Sequence, residues 1–218
     1  MRADLYFDPA CPWTWITSRW LCEVREHRRV TLRWRAFSLL LDDTLADISL
    51  SRRLELAGST RALRVMEAVR ARFGEAPIGE LYTRIGTGFH HDGHRHFEHL
   101  EATLVELGLE PSLMGALDDP RWDEAIQTSM ADAHRLAGPD AGVPLLAVVG
   151  DGPDRAFLGP VFSPAPTGLA ALAAWDGLMT LIAAPGFFEL KRQRLGDPVL
   201  PERPVVDGGA GVIDLVSG

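Results

Sequence analysis

The stretch ADLYFDPACPWTWITSRWLCEVREH, Ala3 to His27, decides how the rest of the chain is read. Ala3, Leu5 and Phe7 alternate with Asp4, Tyr6 and Asp8, the period-two pattern of a strand, and Pro9 stops it. Pro12 suits the first turn of a helix, where its missing N–H costs nothing. From there Trp13, Ile16, Thr17, Trp20, Leu21 and Val24 recur at helical spacing down to about His27. Val30 to Phe37 reads as a second strand, with Leu32, Trp34 and Ala36 alternating with Arg33 and Arg35. Strand, helix and strand with apolar faces require a shared sheet, so the chain opens as an α/β protein.

Beyond Asp42 the pattern changes. Arg61 to Phe73 places Leu63, Met66, Val69 and Phe73 on one helical face, and Glu80 to Ile85 and Phe97 to Leu107 are shorter helical candidates. Asp119-Pro120 caps a further helix whose stripe runs Trp122, Ala125, Ile126, Ser129, Met130, Ala133 and Ala137, and Gly138-Pro139 ends it. Leu145 to Val149 then reads as a buried strand, Gly150 to Asp154 as a turn and Arg155 to Leu158 as a pairing strand. Thr167 to Ala184 is an Ala- and Leu-rich helix. The organisation predicted is an α/β domain in two parts, residues 1–41 and 141–194, around an all-helical insertion at 42–140, with a tail over 195–218.

The bulk numbers bound the function. With 46% hydrophobic and 24% charged residues, the 218-residue chain has the makings of one core. A net charge of −8 argues against nucleic-acid or anionic-membrane partners, which need a cationic surface. Neither a signal peptide nor a run of about 18 apolar residues is present, so a protein of the reducing cytoplasm is expected. Its two cysteines, Cys11 and Cys22, are then free thiols.

Cys11 falls between the strand and the first helical turn. Unpaired N–H groups and the positive end of the helix dipole stabilise an anion there, so a thiolate would ionise readily and act as a nucleophile. The competing reading is a small buried core residue. Thr14, three residues on, faces the same way and can donate a hydrogen bond to the Cys11 thiolate, or simply serve the helix surface. Cys22 lies about 16 Å along the same helix. A disulfide needs Cα atoms within about 7 Å, so Cys22 is structural. Gly142-Val143-Pro144 precedes the buried strand and marks a rigid turn, whose Val143-Pro144 bond is either cis or trans. His90, His91, His94, His96 and His99 fit no zinc signature and read as a solvated loop entering a helix, with His90 kept as a functional candidate. No metal is expected.

FDPACPWTWITSRWL (Phe7 to Leu21), LYTRIG followed by His90, GPVFS (Gly159 to Ser163), Trp175-Asp176 and FFELKRQR (Phe187 to Arg194) together resemble the actinobacterial mycothiol-dependent nitroreductase family. That family is a branch of the DsbA-like thioredoxin-fold proteins, related to kappa-class glutathione transferases and 2-hydroxychromene-2-carboxylate isomerases. The resemblance implies a thioredoxin-like fold with a helical insertion. It also implies a monomer or homodimer, and a low-molecular-weight thiol, mycothiol or similar, as electron donor. It assigns Cys11 as nucleophile, Pro12 and Trp13 as its spacer and Pro144 as the family's cis-proline. Apart from the resemblance, Val143, in the turn that would offer backbone groups to an extended thiol, and His90 complete the candidate thiol-binding residues. The family pattern is CPWC where this chain has CPWT, a departure that speaks against a mechanism through an internal disulfide.

Three functions follow as expectations. In the first, a monothiol enzyme attacks a disulfide or activated small-molecule substrate through Cys11, and a small thiol releases it. In the second, a kappa-type transferase or isomerase uses Thr14 or Cys11 to orient a bound thiol without exchange. The third is a binding module derived from an oxidoreductase.

Overall fold

Six residues, Arg2–Phe7, form the first strand, β1, and five of the six are buried. The computed structural model describes residues 1–42, 48–150 and 154–206. Within them the sheet runs β2-β1-β3-β4, with β2 at Thr31–Ala36, β3 at Leu145–Val149 and β4 at Arg155–Leu158. Both faces of β1 are buried, Ala3, Leu5 and Phe7 on one and Asp4 and Tyr6 on the other, and Asp4 is accommodated by accepting from Arg2 Nε at 2.8 Å.

The chain divides into two compact units. One comprises Met1–Phe7, Cys11–Arg35 and Ala133–Pro201. It holds the sheet, helix α1 (Pro12–His27) and helix α6 (Gly168–Ala183). The amide of Thr31, which opens β2, donates to the carbonyl of Met1 at 3.1 Å, so β1 and β2 start side by side. β3 runs antiparallel to β1 with Leu146 opposite Leu5, and β4 runs antiparallel to β3 with Phe157 opposite Leu146. This is the βαβ–ββα order of a thioredoxin-like sheet. Arg25 and His27 close α1 in its last turn, where cations complement the helix dipole. Trp20 ties α1 to α6: its indole N–H donates to the Ala171 carbonyl at 3.1 Å. Its ring meets Phe162 edge-on at 5.0 Å and Trp175 at 5.9 Å.

The other unit comprises Asp8–Ala10, Ala36–Asp132 and residues from Glu202. It contains α2 (Leu50–Phe73), α3 (Ile78–His90) and α4 (Leu100–Glu106), then two short 3-10 turns and most of α5 (Asp123–Ala137). Ser49 caps α2 by accepting from the Arg52 amide at 3.2 Å, and Gly74 ends it at φ 75°. The helix begins eleven residues before the predicted Arg61 because Gly58, Ser59 and Thr60, weak helix formers, are buried within it. α3 is likewise longer than Glu80–Ile85, running on through GTGFH. α4 starts later than Phe97, whose φ of 60° is incompatible with a right-handed helix. Arg64 joins α2 to α5 through a two-pronged ion pair with Asp123 at 2.7 and 2.8 Å.

Residues 151–153 of the predicted turn and 207–218 of the predicted tail lie outside the described residues, and 195–206 form no helix or strand. Among the described residues no helix is long and apolar enough to cross a membrane.

Trp20→Ala removes a fully buried ring together with the Ala171 hydrogen bond. A loss of about 3–5 kcal/mol is expected, read as a lower urea midpoint at unchanged slope.

Candidate active site

β1 ends at Phe7, and the next three residues are held by one buried carboxylate. Asp8 Oδ1 accepts from the Ala10 amide at 2.8 Å and from the Ser59 hydroxyl on α2, while Oδ2 accepts from the Leu39 amide at 2.8 Å. Burial pushes the Asp8 carboxyl up, opposed by these bonds and by the charge of Arg52. Arg52 also donates to the Ala10 carbonyl at 3.2 Å. His90 completes the set, its Nε2 lying 3.0 Å from the Pro9 carbonyl. Burial pushes the His90 imidazole down to about 3, so at neutral pH it is uncharged and Nε2–H donates to Pro9.

His90 is therefore not in a solvated loop, as its histidine-rich neighbourhood suggested; it is the buried last residue of α3. The other histidines do not converge. His94 stacks on His99 at 4.7 Å, and His99 Nε2 lies 3.1 Å from the Ile85 carbonyl. Among the described residues no three His, Cys, Asp or Glu side chains come together to hold a metal.

Cys11 is the N-cap of α1, with φ −85° and ψ 111° and no capping hydrogen bond from its side chain. Pro12 occupies the first turn, and the first helical hydrogen bond runs from the Trp15 amide to the Cys11 carbonyl at 3.0 Å. The Trp13 and Thr14 amides thus precede the ladder and carry the positive end of the dipole. Cys11 is buried, and its Sγ sits 3.9 Å from the Val143 carbonyl oxygen, within reach of a weak S–H donation. The Val143-Pro144 peptide is cis, and the Pro144 carbonyl accepts from the Gly159 amide at 2.7 Å. Thr17 steadies the next loop by donating to the Pro160 carbonyl at 2.7 Å.

Thr14 is fully buried, and its hydroxyl makes no hydrogen bond among the described residues; the bond to the Cys11 sulfur is not formed. Trp13 is half-buried, with the Arg194 guanidinium 4.8 Å from its ring centroid. Cys22 is half-buried, and neither it nor the buried Cys11 takes part in a disulfide among the described residues.

The α/β unit thus brings together Cys11, Pro12, Trp13, Thr14, Val143 and Pro144. His90 acts one step back, on the turn that leads into Cys11. Asp8, Ser59 and Arg52 were missed by sequence reasoning. The Asp-Pro pair at a strand end is a turn signal that points to Asp8, but Ser59 and Arg52 sit on α2 with no local mark.

Residues 10–192 match the model of a family described as Rv2466c-like, mycothiol-dependent nitroreductase Rv2466c. An uncharacterised protein of Mycobacterium tuberculosis, Rv2286c, is 29% identical over 195 residues, 88% of this chain and 81% of that one. Cytosolic disulfide reductase DsbM from Pseudomonas aeruginosa superposes with a TM-score of 0.57 at 19% identity, covering 83% of this chain and 100% of its own. A structure of the same reductase with GSH gives 0.55 at 17%, with the same coverage of both chains. A 2-hydroxychromene-2-carboxylate isomerase gives 0.53 at 18%, covering 83% of this chain and 95% of its own. The shared fold is the DsbA-like thioredoxin fold.

The buried neutral His90 gives a signed pH dependence. Its folded pKa lies below the ordinary 6.5, so between that value and about 3 the unfolded chain binds a proton that the native chain refuses. Stability therefore falls as pH drops through this window, by up to about 1.4 kcal/mol per pH unit. Urea titrations of wild type and His90→Gln at pH 7, 6 and 5 should show that slope reduced in the variant.

Proposed function

This chain belongs to the Rv2466c-like family of mycothiol-dependent nitroreductases, and from that premise we propose that it is a monothiol oxidoreductase working through Cys11. The observation that carries the reading is the Thr14 hydroxyl: buried, unpartnered and one helical turn from Cys11, at the position where a dithiol enzyme of this family holds its second cysteine. A buried hydroxyl without a partner costs about 1–3 kcal/mol, a cost removed when a ligand or thiolate sulfur accepts from it.

Cys11 attacks one sulfur of a disulfide, or an activated small-molecule substrate, as a thiolate stabilised by the start of α1. The Cys11–sulfur bond forms as the old sulfur–sulfur bond breaks, and the electron pair leaves on the departing thiolate. Thr14 donates to the sulfur that carries the charge. With no second cysteine at that position, Cys11 is freed only by a low-molecular-weight thiol of the mycothiol type, which supplies the reducing sulfur. The Val143 backbone offers polar groups to that extended ligand, cis-Pro144 fixes the turn that presents them, and Pro12 and Trp13 form the near wall. His90 positions the turn before Cys11. That a relative by fold, DsbM, has been seen with GSH supports a small thiol as partner.

The same hydroxyl also favours a second reading, in which Thr14 orients the sulfur of a bound thiol for transfer or isomerisation without exchange. Intact mass separates the two. Reduced protein mixed with mycothiol disulfide, and separately with glutathione disulfide, should gain one adduct that vanishes in Cys11→Ser. Thr14→Cys should shed the adduct and close a disulfide with Cys11. Thr14→Val should slow adduct formation about tenfold, the scale of one hydrogen bond to a charged group. Thiol binding without any adduct would overturn exchange in favour of the second reading.

A further inference from the structure

Thiol exchange at Cys11 needs no cation beyond the helix terminus, yet a cation is seated two residues away. The Arg194 guanidinium lies over the half-buried Trp13 ring at 4.8 Å. Arg194 makes no ion pair among the described residues, and neither do Lys191 and Arg192. All three are exposed, and Glu189 is the only acidic residue in Phe187 to Arg194. Three cations thus fall within four residues of a chain whose net charge is −8. A guanidinium stacked on indole leaves its N–H edge open, and that planar fork is the geometry that takes a carboxylate through two parallel hydrogen bonds. The stacking also limits the side-chain entropy lost when a ligand arrives.

We infer that Arg194, held on Trp13, is a carboxylate-receiving subsite beside Cys11, so that the disulfide this protein takes is an anionic small molecule. Lys191 and Arg192 add positive field along the same segment. The inference rests on the exchange reading of Cys11. In that step the Cys11 thiolate forms a bond to the near sulfur of the anionic disulfide, the original sulfur–sulfur bond breaks, and the far half leaves as its thiolate. Arg194 holds the carboxylate and takes no part in the electron transfer.

Two aromatic disulfides of matched chemistry test it: dithiobis(nitrobenzoate), which carries two carboxylates, and neutral dithiodipyridine. Rates are measured by stopped flow on the full chain in a Cys22→Ser background, so that only Cys11 reports. The anionic-to-neutral rate ratio should fall about threefold in Arg194→Gln and about tenfold in Arg194→Glu at low salt, the scale of one and two unit charges near a protein surface. High salt should compress both differences. A local loss of structure would expose Cys11 to both probes alike and leave the ratio where it was. An unchanged ratio in both variants overturns the subsite while the Cys11 reading stands. Failure of the neutral disulfide to react with the native chain, when it reacts with the denatured one, overturns the exchange reading and this inference with it.

Discussion

A buried carboxylate sets the geometry on which the site depends. Asp8 accepts from the amides of Ala10 and Leu39 and from the Ser59 hydroxyl, so the chain leaving β1 has a single path through Pro9 and Ala10. Each of the three donors offsets part of the cost of burying this carboxyl. Arg52 and His90 take up the carbonyls of Ala10 and Pro9, the two that immediately precede Cys11. Cys11 follows this turn directly in the chain.

From Cys11 onward the physics is that of a helix start. Pro12 removes one N–H that would have had no partner, and the Trp15 amide opens the ladder by bonding the Cys11 carbonyl. The sulfur is left between the positive helix end and the carbonyl of Val143. Trp20, bonded to Ala171 and packed on Phe162 and Trp175, anchors α1 and so keeps that helix end where it is. The Thr14 hydroxyl, buried one turn into this helix, keeps its hydrogen bond uncommitted among the described residues.

Much of this was legible in the sequence where it depends on local pattern. Pro12 announced the helix start, Leu145–Val149 matched its strand to the residue, and the strand–Cys-Pro–helix order named Cys11. The reading failed where long-range packing overrides local preference. Gly58, Ser59 and Thr60 belong to a helix because they are buried in it, and β1 is dry on both faces although one of them carries Asp4 and Tyr6. His90 was kept as a candidate from the sequence, but its burial was not legible among the four histidines that follow it, since burial leaves no mark on residue type. Ser59, lying 51 residues from Asp8, could be found only once the chain was folded.

The account turns on Cys11 being ionised by the start of α1 more strongly than burial opposes it. The most direct measurement is the rate of Cys11 alkylation by neutral iodoacetamide across pH 4 to 10, followed by mass in a Cys22→Ser background. The account predicts a rate that levels off at high pH with its midpoint below about 8.5, the value of a free cysteine. A midpoint at or above that value would show that burial dominates, and would return Cys11 to the role of a small core residue.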